Sequence, residues 1–402
     1  MGEKIAVGFH TCMDFELEWS KDTIENLIRK YQIQDSEIMA KDVICSEREM
    51  VIASLDYMKS GTGGEMVPKD PKTCVEFANN FHYEITIGGT ATRAAMAIQK
   101  IGYSSVVHMC CFNEEMKKRL PKGIRYISSV GVLKTKNPHV VLQYPSNTHI
   151  LANDIDFVTP RENRVMYSND IEGIQMKLTE GFIPLIQDAE VFLLSCFSEV
   201  LDFQILEDRI NTTKKILKSL PSNAIVVMED GDYVVKKHRE YVHRELKDFV
   251  DILSMNEDEL QTYIGQRINI LNPDEVLNAV KHMHEFVHIR YILIHSSKWA
   301  LLYGENPGFA KQALESGVAM SATRFRIGDI FAKKDFEESK VLASSEESTE
   351  FCRRIAEIGN GHICCVPAKD LTFVEKPTSV GLGDYFAGGL LPKLTSKYRQ
   401  AL

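Results

Sequence analysis

Apolar positions along the chain fall into short runs separated by longer amphipathic stretches. The runs cover residues 4–8, 104–112, 189–195, 224–228 and 291–295. Most are rich in Val or Ile, and none alternates strictly between apolar and polar positions. A strand with one wet face would alternate, so these runs predict strands buried on both faces. The stretches between them carry a helical period. Over residues 91–101, Ala94, Ala97, Ile98 and Ile101 share one helical face. Residues 234–246 are densely charged and precede a further apolar run at 249–253. Residues 272–289 open with Asn272, Pro273, Asp274 and Glu275. That is a capping side chain, a proline where no amide partner is needed, and two acids at the positive end of the helix dipole. Strand and helix alternating in this way predict a mainly parallel sheet with helices on its faces.

Two regions break the rhythm. Residues 11–90 hold a charged helical stretch and polar connections before Gly88 and Gly89. Residues 134–170 hold shorter alternating runs at 140–144, 148–151 and 164–167. These are expected to pair as a small antiparallel piece inserted into the α/β body, either a lid over a site or a surface hairpin. Residues 333–351 are rich in Lys, Glu and Ser and read as a solvated loop or an exposed helix. There is no internal repeat and no low-complexity tract.

Composition narrows the class of protein. With 402 residues, 44% of them hydrophobic and 26% charged, the chain has the make-up of a soluble globular protein. Its length fits two or three domains, or one large α/β unit with an insertion. The balance of 47 basic and 56 acidic residues gives a net charge of −9. Such a chain is a poor partner for nucleic acid or an anionic membrane surface, and no basic stripe with aromatics offsets the charge. No run of about 18 apolar residues exists to span a bilayer. The N-terminus has no apolar core of a secretory signal, and Ala6 stands where myristoylation at Gly2 would require Ser or Thr. Nine cysteines occur without any C-x-x-C spacing. That argues against a structural zinc site and for buried, reduced thiols in a cytoplasmic protein.

Four places carry candidate chemistry. The strongest is Pro377-Thr-Ser-Val-Gly-Leu-Gly-Asp384 before an apolar helical start. Glycines at 381 and 383 let a ligand approach the main chain, and the first-turn amides make an anion site. Asp384 there is either a helix cap or a base beside a phosphate. Asn256 and Glu259 lie three apart on one helical face. They are either a cap with an acidic first turn or oxygen ligands that hold water around Mg2+, and both can hold together. Gly88 and Gly89 form a turn into a helix that carries Thr90 and Arg93. Asp14 follows the first predicted strand, at the strand end where parallel sheets bind ligands. A carboxylate there suits sugar hydroxyls, and a plain turn aspartate is the other reading.

The order of these pieces resembles the ribokinase superfamily, and more closely its ADP-dependent glucokinase and phosphofructokinase branch. Residues 160–164, 251–260, 313–319 with 328–329, and 378–384 carry the resemblance across nearly the whole chain. It implies an α/β, ribokinase-like three-layer sandwich over residues 1–402, with a mainly parallel central sheet and a small β-rich lid from about 11–45, 78–90 and 134–170. It implies Asp384 as general base, Gly381 and Gly383 as anion hole, and Arg164 as a lid arginine reaching the nucleotide phosphates. Asp14, Gly88, Gly89, Thr90 and Arg93 fall on the sugar side. His295, Val380, Gly381, Leu382 and Gly383 fall on the nucleotide side. Glu229, Asn256, Glu259 and Asp384 match the Mg2+ set.

The implied activity is phosphoryl transfer from ADP to a sugar or sugar phosphate, with AMP released. ATP as donor to another small alcohol, or a non-catalytic nucleotide- or sugar-binding relative, are the alternatives. The departures lie on the sugar side. Thr90-Ala-Thr-Arg93 replaces the usual Gln or Asn followed by Ala-Gly. Val227 stands where a histidine is common, and Thr11-Cys12 where an asparagine is usual. Arg93 would then meet a sugar phosphate, or make a surface salt bridge.

Overall fold

In the computed structural model, which describes residues 3–396 except 42, 135, 136 and 234, the apolar runs become strands of one nine-stranded sheet. Its order is Ile363–Pro367, Trp299–Gly304, Tyr291–His295, Ile252–Asn256, Ile225–Glu229, Val191–Ser195, Ile5–Gly8, Val106–Met109 and Arg125–Ser128. Seven consecutive strands, from Tyr291–His295 to Arg125–Ser128, are parallel. Trp299–Gly304 runs antiparallel to both its neighbours. This last hairpin was not legible, because its apolar run reads as a continuation of the strand before it.

Both faces of the sheet are covered, which is why the runs do not alternate. Val7, Val107, Leu193 and Val227 pack on one side with the helices Thr90–Lys100, Lys311–Ile327 and Leu382–Leu390. Ala6, Val106, Leu194 and Met228 pack on the other with Phe203–Lys218, Lys236–Leu246, Pro273–Val287 and Glu346–Ile358. The result is the expected three-layer α/β sandwich. The predicted helix starts hold locally. Asn272 Oδ1 accepts from the amides of Asp274 and Glu275 at 3.1 and 3.4 Å. Residues 333–351 hold the helix Lys333–Lys340, a short connection and the start of Glu346–Ile358. The myristoylation reading at Gly2 and the start of the 234–246 helix at Val234 fall outside the described residues.

The inserted piece is larger and less uniform than expected. A five-stranded sheet runs Gly64–Met66, Asn163–Tyr167, His139–Tyr144, Cys12–Leu17 and Tyr83–Gly88. It is mixed rather than antiparallel, since Cys12–Leu17 lies parallel to His139–Tyr144 and Gly64–Met66 parallel to Asn163–Tyr167. A separate hairpin joins His149–Ala152 and Ile155–Val158. Residues 46–78 supply one of these strands and two helices, Glu47–Ser60 and Pro71–Ala78. One face of this sheet, with Phe15, Leu17, Val140, Leu142, Val165 and Tyr167, is buried against Lys21–Lys30, Glu47–Ser60 and Pro71–Ala78. The alternate positions are Asp14, Glu16, Thr86, His139, Gln143 and Arg164. That polar face is the one that reaches the site. No described helix is long and apolar enough to cross a membrane.

Candidate active site

The parallel strands end on a row of polar side chains. Glu229, Asn256 and His295 are the last residues of their strands, and Asn256 pairs in register with His295. His295 Nε2 lies 2.9 Å from Glu229 Oε1, and its ring stacks on Phe386. Asn256 caps the next helix: its Oδ1 accepts from the amides of Asp258 and Glu259 at 2.8 and 2.9 Å. Glu259 returns a carboxylate oxygen to the Asn256 amide at 2.8 Å, closing a capping box. The capping reading of this pair is the one the geometry shows.

Directly opposite stands the glycine corner. Gly381 adopts a left-handed conformation, φ +71°, and precedes the helix Leu382–Leu390, which no side chain caps. Asp384 sits in the first turn of that helix and is not its cap. The amides there are unpaired by helix geometry and the dipole is positive, so the corner offers itself to an anion. A Cβ at Gly383 would stand 3.2 Å from the His295 ring and 3.8 Å from Glu229 Oε1, so the strand-end row and the corner share one space. The loop before it is fixed from two sides. Gln143 Oε1 accepts from the Ser379 amide and hydroxyl at 3.2 and 2.9 Å. Arg324 Nε donates to the Val380 carbonyl at 3.1 Å.

Arg93 joins the two halves. It is 2% exposed, so a surface salt bridge does not describe it. Its Nη2 donates to Asp14 Oδ2 at 2.7 Å and to Glu16 Oε1 at 3.0 Å, and its Nε stands 4.0 Å from Asp384 Oδ2. Its Nη1 has no hydrogen-bond partner among the described residues and faces Gly381, where a Cβ would come within 2.2 Å of it. Asp14 is thus engaged: Arg93 binds one oxygen and Cys12 Sγ lies 3.2 Å from the other. Gly88 leaves room for it, since a Cβ there would meet both Asp14 oxygens at 2.3 Å. A second buried arginine, Arg324, pairs with Asp329 at 2.8 Å and lies 3.8 Å from the same Glu16 oxygen. Tyr385 donates its hydroxyl to Asp329 as well.

These charges set the protonation of the site. Burial pushes the Asp384 carboxyl above the usual aspartate range; Arg93 and the Thr90 hydroxyl oppose this, and the charges of Glu229 and Asp14 add to it. Burial also pushes Glu259 up to about 8, helped by the charges of Asp230 and Glu229. For His295, burial favours the neutral ring, and the Glu229 carboxylate outweighs it, so its pKa rises. Glu229, Asn256, Glu259 and Asp384 are oxygen donors of the kind that hard cations such as Mg2+ take, and by donor chemistry they fit the group. Asp230 is held by Tyr263 and His243.

The structure brings together Asp14, Gly88, Thr90, Arg93, Glu229, His295 and the 380–384 segment. Arg164 is exposed, and its strand position lies opposite Gln143, the residue that holds Ser379. Glu16, Gln143 and Arg324 were not read from the sequence, and Asp329 was read only as part of the 328–329 family segment. Arg324 lies between residues 313–319 and 328–329, and a charged residue near that glycine was the available signal. Glu16 lies two residues beyond Asp14, on the same strand face, and that spacing was its signal.

Fold and site together define a three-layer α/β protein, with an uncapped helix terminus, an adjacent carboxylate and a second sheet across the cleft. Residues 3–391 match the model of the ADP-specific phosphofructokinase/glucokinase conserved region. The chain belongs to the ADP-specific phosphofructokinase/glucokinase family. Its structure is similar to a phosphofructokinase from Pyrococcus horikoshii OT3 crystallised with AMP: TM-score 0.74, 15% identity, 100% of this chain and 99% of that one covered. A hypothetical ADP-dependent phosphofructokinase from the same organism gives a TM-score of 0.75 at 15% identity, with 100% of both chains covered. An ADP-dependent kinase in complex with fructose-6-phosphate and ADPbetaS gives 0.73 at 14% identity, covering 98% of this chain and 94% of that one. No curated protein sequence matches this one.

Proposed function

We propose that this protein transfers a phosphoryl group from ADP to a hydroxyl of a sugar or sugar phosphate and releases AMP, in the cytoplasm. The observation that carries the reading is the corner itself. Asp384 stands in the first turn of an uncapped helix, within one space with Glu229 and His295 and beside the polar face of the second sheet. Solved proteins of this fold hold AMP in one case, and fructose-6-phosphate with ADPbetaS in another, which supports the same ligand class here.

In this reading the acceptor hydroxyl lies against Asp384. As its oxygen attacks the terminal phosphorus of ADP, the proton passes to the Asp384 carboxylate, the bond to the bridging oxygen breaks and AMP leaves. The amides at 381–384 hold the charge of the transferring group. Arg164 on the second sheet adds charge from the nucleotide side and helps exclude water. Mg2+, held through Glu229, Asn256 and Glu259, would neutralise phosphate charge when bound.

A coupled assay with ADP or ATP and a panel including glucose and fructose 6-phosphate tests this. AMP should form with ADP, and Asp384→Asn should lower turnover by about 10² or more while the melting temperature holds. An Asp384→Asn protein with near-full turnover would overturn the base. One observation favours a second reading, binding without transfer: Asp14 is already taken by Arg93 and Cys12. In that case nucleotide raises the melting temperature and no acceptor in the panel is phosphorylated.

A further inference from the structure

Behind the acceptor side lies a cluster that the reaction above does not use. His10 follows the first strand, Cys12 and His139 lie on the second sheet, and Asp170 caps the short helix Ile171–Gln175. His10 and His139 are each 3% exposed and Asp170 is 2% exposed. Their facing atoms converge. Asp170 Oδ2 stands 3.7 Å from His10 Nε2 and 3.6 Å from His139 Nε2. None of these three atoms has a hydrogen-bond partner among the described residues. The carboxylate lies at ion-pair distance from both rings but beyond good hydrogen-bond length, so these buried atoms lack the bonds that usually satisfy such groups. The Cys12 thiol lies beside the two rings, with its ligating atom and those of His10 and His139 all within 4.8 Å of one another.

The separations distinguish what that something is. Around a tetrahedral ion with bonds of about 2.0–2.2 Å, neighbouring ligand atoms stand roughly 3.3–3.6 Å apart. Around a bridging water with hydrogen bonds of about 2.8 Å they stand roughly 4.6 Å apart. The two measured distances fall beside the first value. The chain also leaves room at the cluster. Gly173 faces it, and a Cβ there would come within 2.7 Å of His10 Nε2 and 2.9 Å of Asp170 Oδ2. Asp170 keeps its other oxygen on the Glu172 amide at 3.1 Å, which fixes the carboxylate as an outer contact fixes a ligand.

We infer that His10, His139, Asp170 and Cys12 form a structural site for a borderline divalent transition metal, Zn2+ being the best match. Two neutral imidazoles, one carboxylate and one thiolate suit that ion in type and number, and the two negative ligands balance its charge. Binding displaces the Cys12 thiol proton, now directed at Asp14, and the protons that the Asp170 carboxylate favours on His10 and His139, to solvent. The ion would tie the segment after the first strand to two strands of the second sheet and to residue 170, and so pin the second sheet to the body. Hard Mg2+ would not compete for these ligands.

The full-length protein tests this, in a Cys45→Ser background to remove the exposed thiol. After chelator treatment it should take up about one Zn2+ or Co2+ per chain and retain it through desalting, and its melting temperature should rise. The Co2+ form should show intense tetrahedral bands together with a thiolate charge-transfer band. Cys12→Ser should lose the charge-transfer band, and His139→Gln should bind Co2+ at least about tenfold more weakly. A wild-type protein that retains no metal and shows neither band nor melting shift overturns the proposal, whether or not the variants fold. So does a Cys12→Ser protein whose Co2+ spectrum matches the wild type.

Discussion

Arg93 illustrates how much one buried residue can decide. It sits between Asp14, Glu16 and Asp384, with 2.7 and 3.0 Å contacts to the first two. Removing one partner of a buried ion pair leaves the other charge uncompensated, which costs about 3–5 kcal/mol. Arg93→Ala should therefore lower unfolding free energy by about that amount in urea titrations; a loss below about 1 kcal/mol would contradict the pairing described. The residue type was visible in the sequence, and its setting was not, because Asp14 and Glu16 lie nearly eighty positions away. His108 shows a titration of the opposite kind. Burial lowers its pKa from 6.5 to about 4, and its Nε2 accepts from the Thr179 amide at 3.1 Å. The unfolded chain binds this proton between those values and the folded chain does not. The stabilisation from a neutral His108 is thus complete above pH 6.5 and lost as pH falls toward about 4. His108→Gln should flatten that acid limb in melting curves taken across the same range.

At the scale of elements, the glycine corner and the cap at Gly265 make a matched pair. Both are left-handed, with φ of +71° at Gly381 and +68° at Gly265. A side chain there costs about 1–2 kcal/mol from backbone strain. At Gly265 a Cβ would meet nothing within 4 Å, whereas at Gly381 it would strike Arg93. Gly265→Ala should lose only the strain term and keep its activity. Gly381→Ala should lose more stability and most turnover, which paired melts and assays would compare. The parallel strands and the helix starts were legible because their signals are local: apolar runs, caps and the Gly-x-Gly turn. The second sheet was legible only in part. Its strands pair positions as distant as Asp14 and His139, and its acidic face made Cys12–Leu17 look like a connection.

For the molecule as a whole, the cleft unites a body that places carboxylates at strand ends with a second sheet that supplies the opposing polar face. The proposed Mg2+ ligands Glu229, Asn256, Glu259 and Asp384 carry a prediction that needs no substrate. Mg2+ should raise the melting temperature at about pH 8, where Glu259 is half ionised, and Glu259→Gln should remove most of that rise; an equal rise in both proteins would argue against these ligands. The sequence by itself determined the layered α/β architecture, the strand-end acids, the glycine corner with Asp384 and the family they resemble. Those depend on periodicity and on spacings of a few residues, which one stretch of chain carries complete. Only the tertiary structure decided that Arg93 is sequestered on Asp14, that Arg324 braces the corner, and that His10, Cys12, His139 and Asp170 meet. C-x-x-C spacing would have announced a metal site locally, but these ligands come from three stretches of chain, around residues 10–12, 139 and 170. Their meeting depends on the pairing and packing of strands far apart in the chain, and spacing alone does not encode that.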